Sequence, residues 1–594
     1  MIKPGWVVFG VLALLWTATA SAQSGRWQDE AERRLSDIQE RAESQLNDLA
    51  VQAELRAELE SLMAVMAKVG SSRDEDLLID LAATQRMLEI ASADPESQAA
   101  DWYRYLADES RLGRTLAFVF GENDKAIGVL RVLRELREEF GDTAVRSYPE
   151  LVAALCVVHD EAELYSFRVN ENRPRSAGPV ALFRFFTENE RRMLFGLQDV
   201  PAELLVFVVD ATGDIEELEW ALSQYQGDQA VGRLFHTIDY DTEHAELGRP
   251  KAVTRYGYTL PAISRLGGVC ADQCHFAATV GKAIGVPTAY VSGVGGEVGH
   301  AWIGYLEAQG RNAAWNFNVG RYPEYQGVIG SVLDPQSGRN IGDDELGLTG
   351  RLANVSRDQR FEAAAWLDAA ELLQNRVPAV DIGQSKSRTE PRVGLAGVLE
   401  LAERALRMNP ADRRGWAIVR TAVSDPLMPM ADRTRWAQII MRLCEEAGAE
   451  HFMVSMFEPM IESVEDPRAR IETWDRVLSQ VRTKKDLRAR IRITQAKEYK
   501  RLDETNRAFT AYQDVIDSSL NDTRESRHAV AGAVGVLEEA GKHSEAARLL
   551  GRVLAMVERP GLASQFSSSS NYNFVRDLAV SYRMEHKVRI VGLE

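Results

Sequence analysis

Apolar positions recur every three or four residues from residue 27 to about residue 160, and this spacing predicts a helical region. Leu35, Ile38, Ala42, Leu46 and Leu49 form one such stripe. The same spacing returns over residues 357–373 and again over residues 395–590. Both ends of the mature chain are therefore predicted to be helical.

The pattern changes near Pro201. Leu204 to Val209 is an uninterrupted apolar run that ends at Asp210, which is typical of a buried β-strand. Residues 215–224 then have helical spacing, and glycine becomes frequent between Gly232 and Gly350. These features predict a mixed region of helices and strands in the centre of the chain.

The first 22 residues have the order of a secretory signal peptide. Lys3 precedes an apolar run from Trp6 to Trp16, and Ala20-Ser21-Ala22 fits the small-x-small cleavage pattern. The run is short for a bilayer span of about 20 residues, so an uncleaved anchor is the less favoured alternative. We expect a secreted or periplasmic protein that has no stable membrane insertion after cleavage.

Composition narrows the function classes. The 594 residues carry a formal charge of −18, and this acidic balance disfavours a protein that binds nucleic acid by neutralising phosphates. Four cysteines in a chain of this length do not form a disulfide scaffold. From the sequence we predict that the protein binds no cofactor.

The C-terminal region appears repetitive in sequence. Ala469, Ala508 and Ala546 head similar predicted helices, and residues 541–560 resemble the second helix of a tetratricopeptide unit, as do residues 402–410. The polar stretch 378–391 has proline at both ends and predicts a linker. The predicted units are a signal peptide (1–22), an N-terminal helical region (23–195), a central domain (196–355), a helix with linker (356–394) and a helical repeat domain (395–594). Stacked helices of this kind form an α-solenoid whose surface can bind a protein partner.

Candidate chemistry begins at Cys270. Two glycines, Gly267 and Gly268, lead into this cysteine, which opens a predicted helix that ends before Gly285. A thiol at a helix N-terminus lies at the positive end of the helix dipole, which favours the thiolate. Cys270 is thus predicted to be a nucleophile, whereas Cys274, one turn further on, is predicted to be a buried core residue.

A nucleophilic cysteine needs a base. His300 follows a glycine-rich loop and opens the predicted strand 300–306, so it is the candidate. If this strand forms a hairpin with residues 312–319, a turn centred on Gln309 places Asn318 opposite His300. A turn centred on Ala308 would place Asn316 there instead.

These residues resemble the transglutaminase-like superfamily over roughly residues 200–350. The resemblance is carried by Gly268-Val269-Cys270 with Asp272, by Gly285-Val286-Pro287 and by His300-Ala301-Trp302. It implies an α+β, papain-like core within a mostly helical chain, and a catalytic triad of Cys270, His300 and Asn318. The family's usual aspartate position is Val319 here, and no carboxylate follows until Glu324. Trp220 and Gln224 are the candidates for completing the oxyanion hole.

The resemblance implies an exported cysteine enzyme that cleaves or exchanges amide bonds of a protein or peptide substrate through a Cys270 thioester. The alternative is an inactive domain that serves as a binding scaffold together with the helical repeats. Two weaker readings concern the same residues. One is a metal site made of Cys270, Cys274, His275 and His300, and the other is a disulfide between Cys270 and Cys274.

Overall fold

The structure is a computed structural model, and it describes residues 24–69, 75–108, 110–161, 176–295, 299–308, 313–322, 325, 327–376, 395–425, 428, 430–447, 449–482, 484–559 and 570–593. The predicted signal peptide and the predicted linker 378–391 lie outside the described residues. The described chain is mostly helical, with one small antiparallel sheet. None of the described helices combines the length and the apolar character that crossing a bilayer requires.

The N-terminal half is built of helices, including those predicted up to about residue 160. They are α1 (Ser24–Gln45), α2 (Leu49–Val69), α3 (Glu75–Ala91), α4 (Ala99–Ala107), α5 (Ser110–Val119), α6 (Ala126–Ser147), α7 (Pro149–Val158), α8 (Pro179–Glu188), α9 (Ala202–Val209), α10 (Ile215–Tyr225), α11 (Thr242–Leu247) and α12 (Leu260–Leu266). Short 3₁₀ helices cover Glu190–Arg192, Val231–Thr237 and Val253–Tyr256. Leu35, Ile38 and Ala42 on α1 and Leu46 just after it are buried, as the apolar spacing predicts, whereas Leu49, the first residue of α2, is 77% exposed.

The prediction of a strand at Leu204–Val209 is wrong, because these residues form helix α9. Pro201 accepts hydrogen bonds from the amides of Leu204 and Leu205, both at 2.9 Å, and Glu203 lies in the first turn. The helix is buried on nearly every side. A short helix buried all round needs no polar face, so its sequence is as uniformly apolar as that of a buried strand.

The central region holds the sheet. Its elements are α13 (Cys270–Ala283), β1 (Thr288–Val294), β2 (Gly299–Leu306), β3 (Trp315–Asn316), β4 (Ser331–Leu333), β5 (Asn340–Gly342) and α14 (Asp343–Thr349), followed by a 3₁₀ helix at Gly350–Asn354. The strand order is β3-β2-β1-β4-β5, and each neighbouring pair is antiparallel. Helix α13 packs on β1 and β2.

Small residues allow α13 to approach the sheet closely. A Cβ atom added at Gly281 would lie 2.4 Å from Cγ2 of Thr288 on β1. Cys274, Ala277 and Ala278 are buried in the same helix. Gly285 ends the helical segment with a φ of 81°, the left-handed conformation that its position predicts.

The C-terminal half is again helical. Its helices are α15 (Arg357–Arg376), α16 (Leu395–Met408), α17 (Arg413–Val423), α18 (Met430–Ala447), α19 (Glu450–Glu462), α20 (Pro467–Gln480), α21 (Lys485–Arg501), α22 (Thr505–Ser519), α23 (Glu525–Glu539), α24 (His543–Met556) and α25 (Asn571–His586). Helices α20, α22 and α24 begin 38 residues apart, at Pro467, Thr505 and His543. From α20 to α25 each helix packs on the next.

One continuous apolar core extends through most of the described chain. Buried residues from Ala31 to Ile491 form a single connected cluster, and a second cluster runs from Ala489 to Ile590. The first cluster therefore crosses the predicted unit boundaries near residues 195, 355 and 395. Buried charges also join distant segments: Asp368 on α15 accepts hydrogen bonds from Arg86 at 2.8 Å and from Arg414 at 2.6 Å.

Candidate active site

Cys270 is the first residue of α13, and a buried carboxylate organises the turn that it opens. Asp272 accepts a hydrogen bond from the Val269 amide at 2.8 Å, which is half of a capping box. The same carboxylate accepts hydrogen bonds from the Tyr258 hydroxyl at 2.8 Å and from Lys251 Nζ at 2.9 Å. Three donors on one fully buried carboxylate fix the start of the helix, and with it the position of Cys270.

The two glycines before Cys270 fit against an upstream segment. The Gly268 amide donates to the Asp239 carbonyl at 2.9 Å, and the Asp241 amide donates to the Gly268 carbonyl at 3.0 Å. Gly267 has a φ of 77°, and a Cβ atom there would lie 2.4 Å from the Asp239 carbonyl oxygen. Only glycine can adopt this positive φ without strain and also leave room for the carbonyl oxygen. This pairing brings Tyr240 beside the loop that carries Cys270.

The sulfur of Cys270 lies against the start of β2. The backbone amides of Ala301 and Ala271 lie close enough to it to lower the thiol pKa. Burial acts in the opposite direction and dominates, so the pKa of Cys270 is raised. The helix N-terminus therefore does not by itself produce the thiolate that its dipole predicts.

His300 is the residue immediately before Ala301, so the backbone of His300 lies near the Cys270 sulfur. His300 is buried, and it pairs with Gly293 across β1 and β2. Its Nε2 atom lies 2.6 Å from the carbonyl oxygen of Gly320. A carbonyl oxygen can only accept, so Nε2 carries a proton and the lone pair of a neutral His300 lies on Nδ1.

Aromatic rings surround the imidazole. Tyr322 stacks on His300 with ring centroids 4.2 Å apart and an interplanar angle of 20°. Tyr325 lies 4.7 Å from it, Trp302 6.0 Å and Phe235 6.5 Å. These rings fix the orientation of His300 within an apolar pocket.

The predicted hairpin register is wrong. Strands β2 and β3 pair Tyr305 with Asn316 and Leu306 with Trp315, which is offset by three residues from the pairing that would place Asn318 opposite His300. Asn318 is exposed, and its amide binds Oδ1 of Asn316 at 2.9 Å. Strand β3 is only two residues long, and the chain then leaves the ladder, so the carbonyl of Gly320 faces the imidazole instead. A catalytic role for Asn318 stays a prediction that this geometry does not favour.

Substitution of Asn318 tests whether the Gly320 carbonyl or the Asn318 side chain orients His300. If the Gly320 carbonyl orients His300, Asn318→Ala should change kcat/KM for an amide substrate by less than about threefold. Loss of the orienting member of a catalytic triad lowers kcat by about 10⁴-fold. A loss of that order in Asn318→Ala, with Asn316→Ala unaffected as the matched control, would restore Asn318 to the triad.

Arg321 holds the segment that carries the two tyrosines, and nothing in the sequence singles it out. Its buried guanidinium donates to the Tyr325 carbonyl at 2.9 Å and to Oδ2 of Asp343 at 2.9 Å, and it also binds the Val328 carbonyl. It lies over the Trp302 ring, with its central carbon 4.6 Å from the centroid. A lone arginine between glycine and tyrosine shows no periodic signal, so only the fold identifies it.

The other residues singled out in the sequence are Cys274, Trp220 and Gln224. Cys274 is buried as predicted, donates to the Trp302 carbonyl at 2.9 Å and has its pKa raised by burial. All four cysteines are free, so no disulfide joins Cys270 to Cys274. Trp220 packs on Tyr225 and Phe276, and Gln224 is exposed and binds its neighbour Ser223, so a role for either in an oxyanion hole stays a prediction.

The alternative hypothesis of a metal site around Cys270 finds no support in the described residues. His275 is buried and stacks on Tyr258 with centroids 5.6 Å apart. Burial lowers its pKa to about 4. Cys270, Cys274, His275 and His300 do not converge as a group of ligands within the part of the chain that the structure describes.

Comparison with known proteins adds no assignment. No known family model matches the chain. No curated protein matches it closely enough to indicate a relationship. The interpretation of the site therefore depends on its residues and their geometry.

Proposed function

We propose that this protein is an exported cysteine enzyme of the transglutaminase-like kind, with a papain-like central domain and a C-terminal α-solenoid, and that it acts on amide bonds. One observation carries the proposal. The thiol of Cys270, at the start of a helix, lies close enough to the backbone amide of Ala301, the residue that follows His300, for that amide to lower its pKa. A nucleophile and a base on adjacent elements are the minimum that thiol-dependent acyl transfer needs.

The reaction divides the roles between the two side chains. His300 takes the thiol proton on Nδ1, and the sulfur of Cys270 attacks the carbonyl carbon of the amide. The tetrahedral intermediate collapses with cleavage of the C–N bond, and His300 returns the proton to the departing amine or ammonia. Water then hydrolyses the thioester, or a second amine accepts the acyl group and forms a cross-link.

The raised pKa of Cys270 is compatible with this scheme. A partly covered thiol with a raised pKa stays protonated until a base removes its proton, so in this scheme the reactive form depends on His300 rather than on the helix alone. Because burial also strengthens electrostatic interactions, a thiolate–imidazolium pair formed in this pocket would gain more than the same pair in water.

The surface around the thiol suits a polypeptide. Tyr240 and Tyr322 are 44% and 39% exposed, and Val294 on β1 is 39% exposed. The pKa of Tyr240 is raised to about 12, first by burial and then by the nearby Cys270 and Tyr322. Exposed aromatic rings offer stacking and apolar contact to the side chains that flank a scissile amide.

The second candidate is an inactive scaffold with the same fold. Two observations favour it: burial raises the pKa of Cys270, and the ring of Tyr322 covers one face of His300. A scaffold would use the helical repeats to bind a protein and would need no reactive thiol.

Thiol labelling distinguishes the two. Cys156, Cys274 and Cys444 are buried, whereas Cys270 is partly exposed, so iodoacetamide should modify Cys270 first in the folded protein. In the active reading, the rate should rise with pH through an apparent pKa that is lower in the wild type than in His300→Ala, because only the wild type has a base to take up the thiol proton. In His300→Ala the midpoint should move upward, because burial then acts without that base.

The measurement is the rate of carbamidomethylation at Cys270 from pH 5 to pH 10, followed by peptide mass spectrometry. His236→Ala, an exposed histidine close to the same pocket, is the matched control and should leave the profile unchanged. Identical profiles for the wild type and His300→Ala would remove His300 as the base and favour the scaffold.

A further inference from the structure

Three potential metal ligands meet at the C-terminal end of the molecule, far along the chain from Cys270. Glu538 lies near the end of α23, His543 is the first residue of α24, and His586 is the last residue of α25. One ligand atom from each side chain lies within 4.8 Å of the other two. Within the part of the chain that the structure covers, no other group of three histidine, cysteine or carboxylate ligands is this close.

The contact between His586 and Glu538 is not an ordinary hydrogen bond. Nε2 of His586 lies 2.7 Å from Oε1 of Glu538, yet this buried nitrogen makes no aligned hydrogen bond. The rings of His543 and His586 are stacked, with centroids 4.5 Å apart and an angle of 26°. Nε2 of His586 and Oε1 of Glu538 are thus close together without a hydrogen atom aligned between them. Two ligand atoms of one cation have this arrangement.

The neighbours of the cluster favour a metal. Nδ1 of His543 lies 3.1 Å from the hydroxyl oxygen of Tyr582. If Nδ1–H donates to that oxygen, the lone pair of His543 lies on Nε2, which is the usual arrangement of a ligating histidine and its hydrogen-bond partner. Glu538 and His586 lie at helix C-termini, where the helix dipole attracts positive charge, whereas His543 lies at a helix N-terminus, where it does not.

We propose that Glu538, His543 and His586 bind a divalent transition-metal ion, with Zn²⁺ as the best match. Two imidazoles and one carboxylate form a common zinc ligand set, and water would occupy the fourth position. Zinc–ligand bonds of about 2.0–2.1 Å place tetrahedral ligand atoms about 3.3 Å apart, so small side-chain rotations suffice. The ion would connect three helices and fix the last of them, α25, to the rest of the repeat region.

The test uses the full mature chain without an affinity tag, freed of metal by chelator and dialysed. We expect one Zn²⁺ per chain by elemental analysis, and a rise in the temperature of the unfolding transition when Zn²⁺ is added. Co²⁺ in place of Zn²⁺ should give the visible absorption of a tetrahedral site. These readouts do not depend on any activity of Cys270.

Variants locate the ion. His543→Ala and His586→Ala should each weaken Zn²⁺ binding at least 100-fold. Tyr582→Phe should weaken it about tenfold, the lower end of the loss seen on removing a ligand's hydrogen-bond partner. Glu538→Gln keeps the side-chain shape while removing the anionic ligand, so it tests the site even if a histidine variant unfolds. His528→Ala, an exposed histidine on α23, is the matched control and should bind normally.

Two results would overturn the proposal. The first is the absence of stoichiometric Zn²⁺ at micromolar free metal, which would leave an ion pair between His586 and Glu538 as the whole of the contact. The second is stoichiometric Zn²⁺ that persists unchanged in His586→Ala and Glu538→Gln, which would place the ion elsewhere.

Discussion

Replacing Cys270 by alanine should lower amide turnover at least about 10³-fold, because the variant lacks the sulfur on which the thioester forms. The substrates to use are glutamine-containing peptides and peptidoglycan fragments, with release of ammonia or amine as the readout. His300→Ala should lose activity to a similar extent. Since the two side chains act as a unit, the double variant should be no worse than either single variant.

Cys274→Ala is the matched control for this experiment. Cys274 lies one turn further along α13, is fully buried and donates to the Trp302 carbonyl, so it has no access to a substrate. Its removal should leave kcat/KM nearly unchanged. Equal turnover by Cys270→Ala and the wild type would remove Cys270 from the mechanism and leave the scaffold as the better proposal.

Replacing Lys282 by methionine should lower the free energy of unfolding by about 3–5 kcal/mol. Lys282, near the end of α13, pairs with Asp210, which directly follows α9, and both side chains are buried. Without Lys282, the Asp210 carboxylate stays in the interior with its opposite charge removed. Because α13 carries Cys270 at its other end, this pair also anchors the candidate nucleophile.

The loss should depend on pH. Burial is the main influence on Asp210 and raises its pKa, even against the attraction of Lys282. In Lys282→Met that attraction is gone, so Asp210 takes up a proton more readily in the folded protein than in the unfolded chain. The variant should therefore be least destabilised at low pH and lose further stability as the pH rises.

Thermal and denaturant unfolding at several pH values would measure both effects. Lys500→Met removes a comparable ion pair with Glu539, which is 65% exposed, and should cost less than about 1 kcal/mol. The double variant Asp210→Leu with Lys282→Met should recover much of the loss, since no unpaired charge remains. A change below about 1 kcal/mol in Lys282→Met would show that the interior there is open to water.

Local patterns predict the local structure well. The stripe around Leu35 and Ile38, the start of α13 at Cys270 and its end before Gly285 all depend on residues near one another in sequence. The run at Leu204–Val209 is different, because burial on every side removes the period that separates helix from strand. Pro201 and Glu203 are typical of the start of a helix, and here they indicate the observed secondary structure better than the apolar run does.

The site is predictable only in part, because its details depend on distant segments. The pattern correctly places Cys270 at the start of α13 and His300 near the start of β2, and their pairing as nucleophile and base stays a prediction. The register at Asn316 depends on a connection that hydrophobic spacing does not specify, so the three-residue offset could not be foreseen. The raised pKa of Cys270 likewise depends on how deeply neighbouring elements cover the sulfur.

The shared core from Ala31 to Ile491 has a consequence for how this protein can change. The segment around Cys270 does not have a separate apolar core, since the cluster that contains it continues into the helices on both sides of it in sequence. Gene fusion or recombination at its edges would separate surfaces that fit only each other. Variation in this lineage should therefore proceed by substitution in place, with the last helices, which have a core of their own, as the part most easily exchanged.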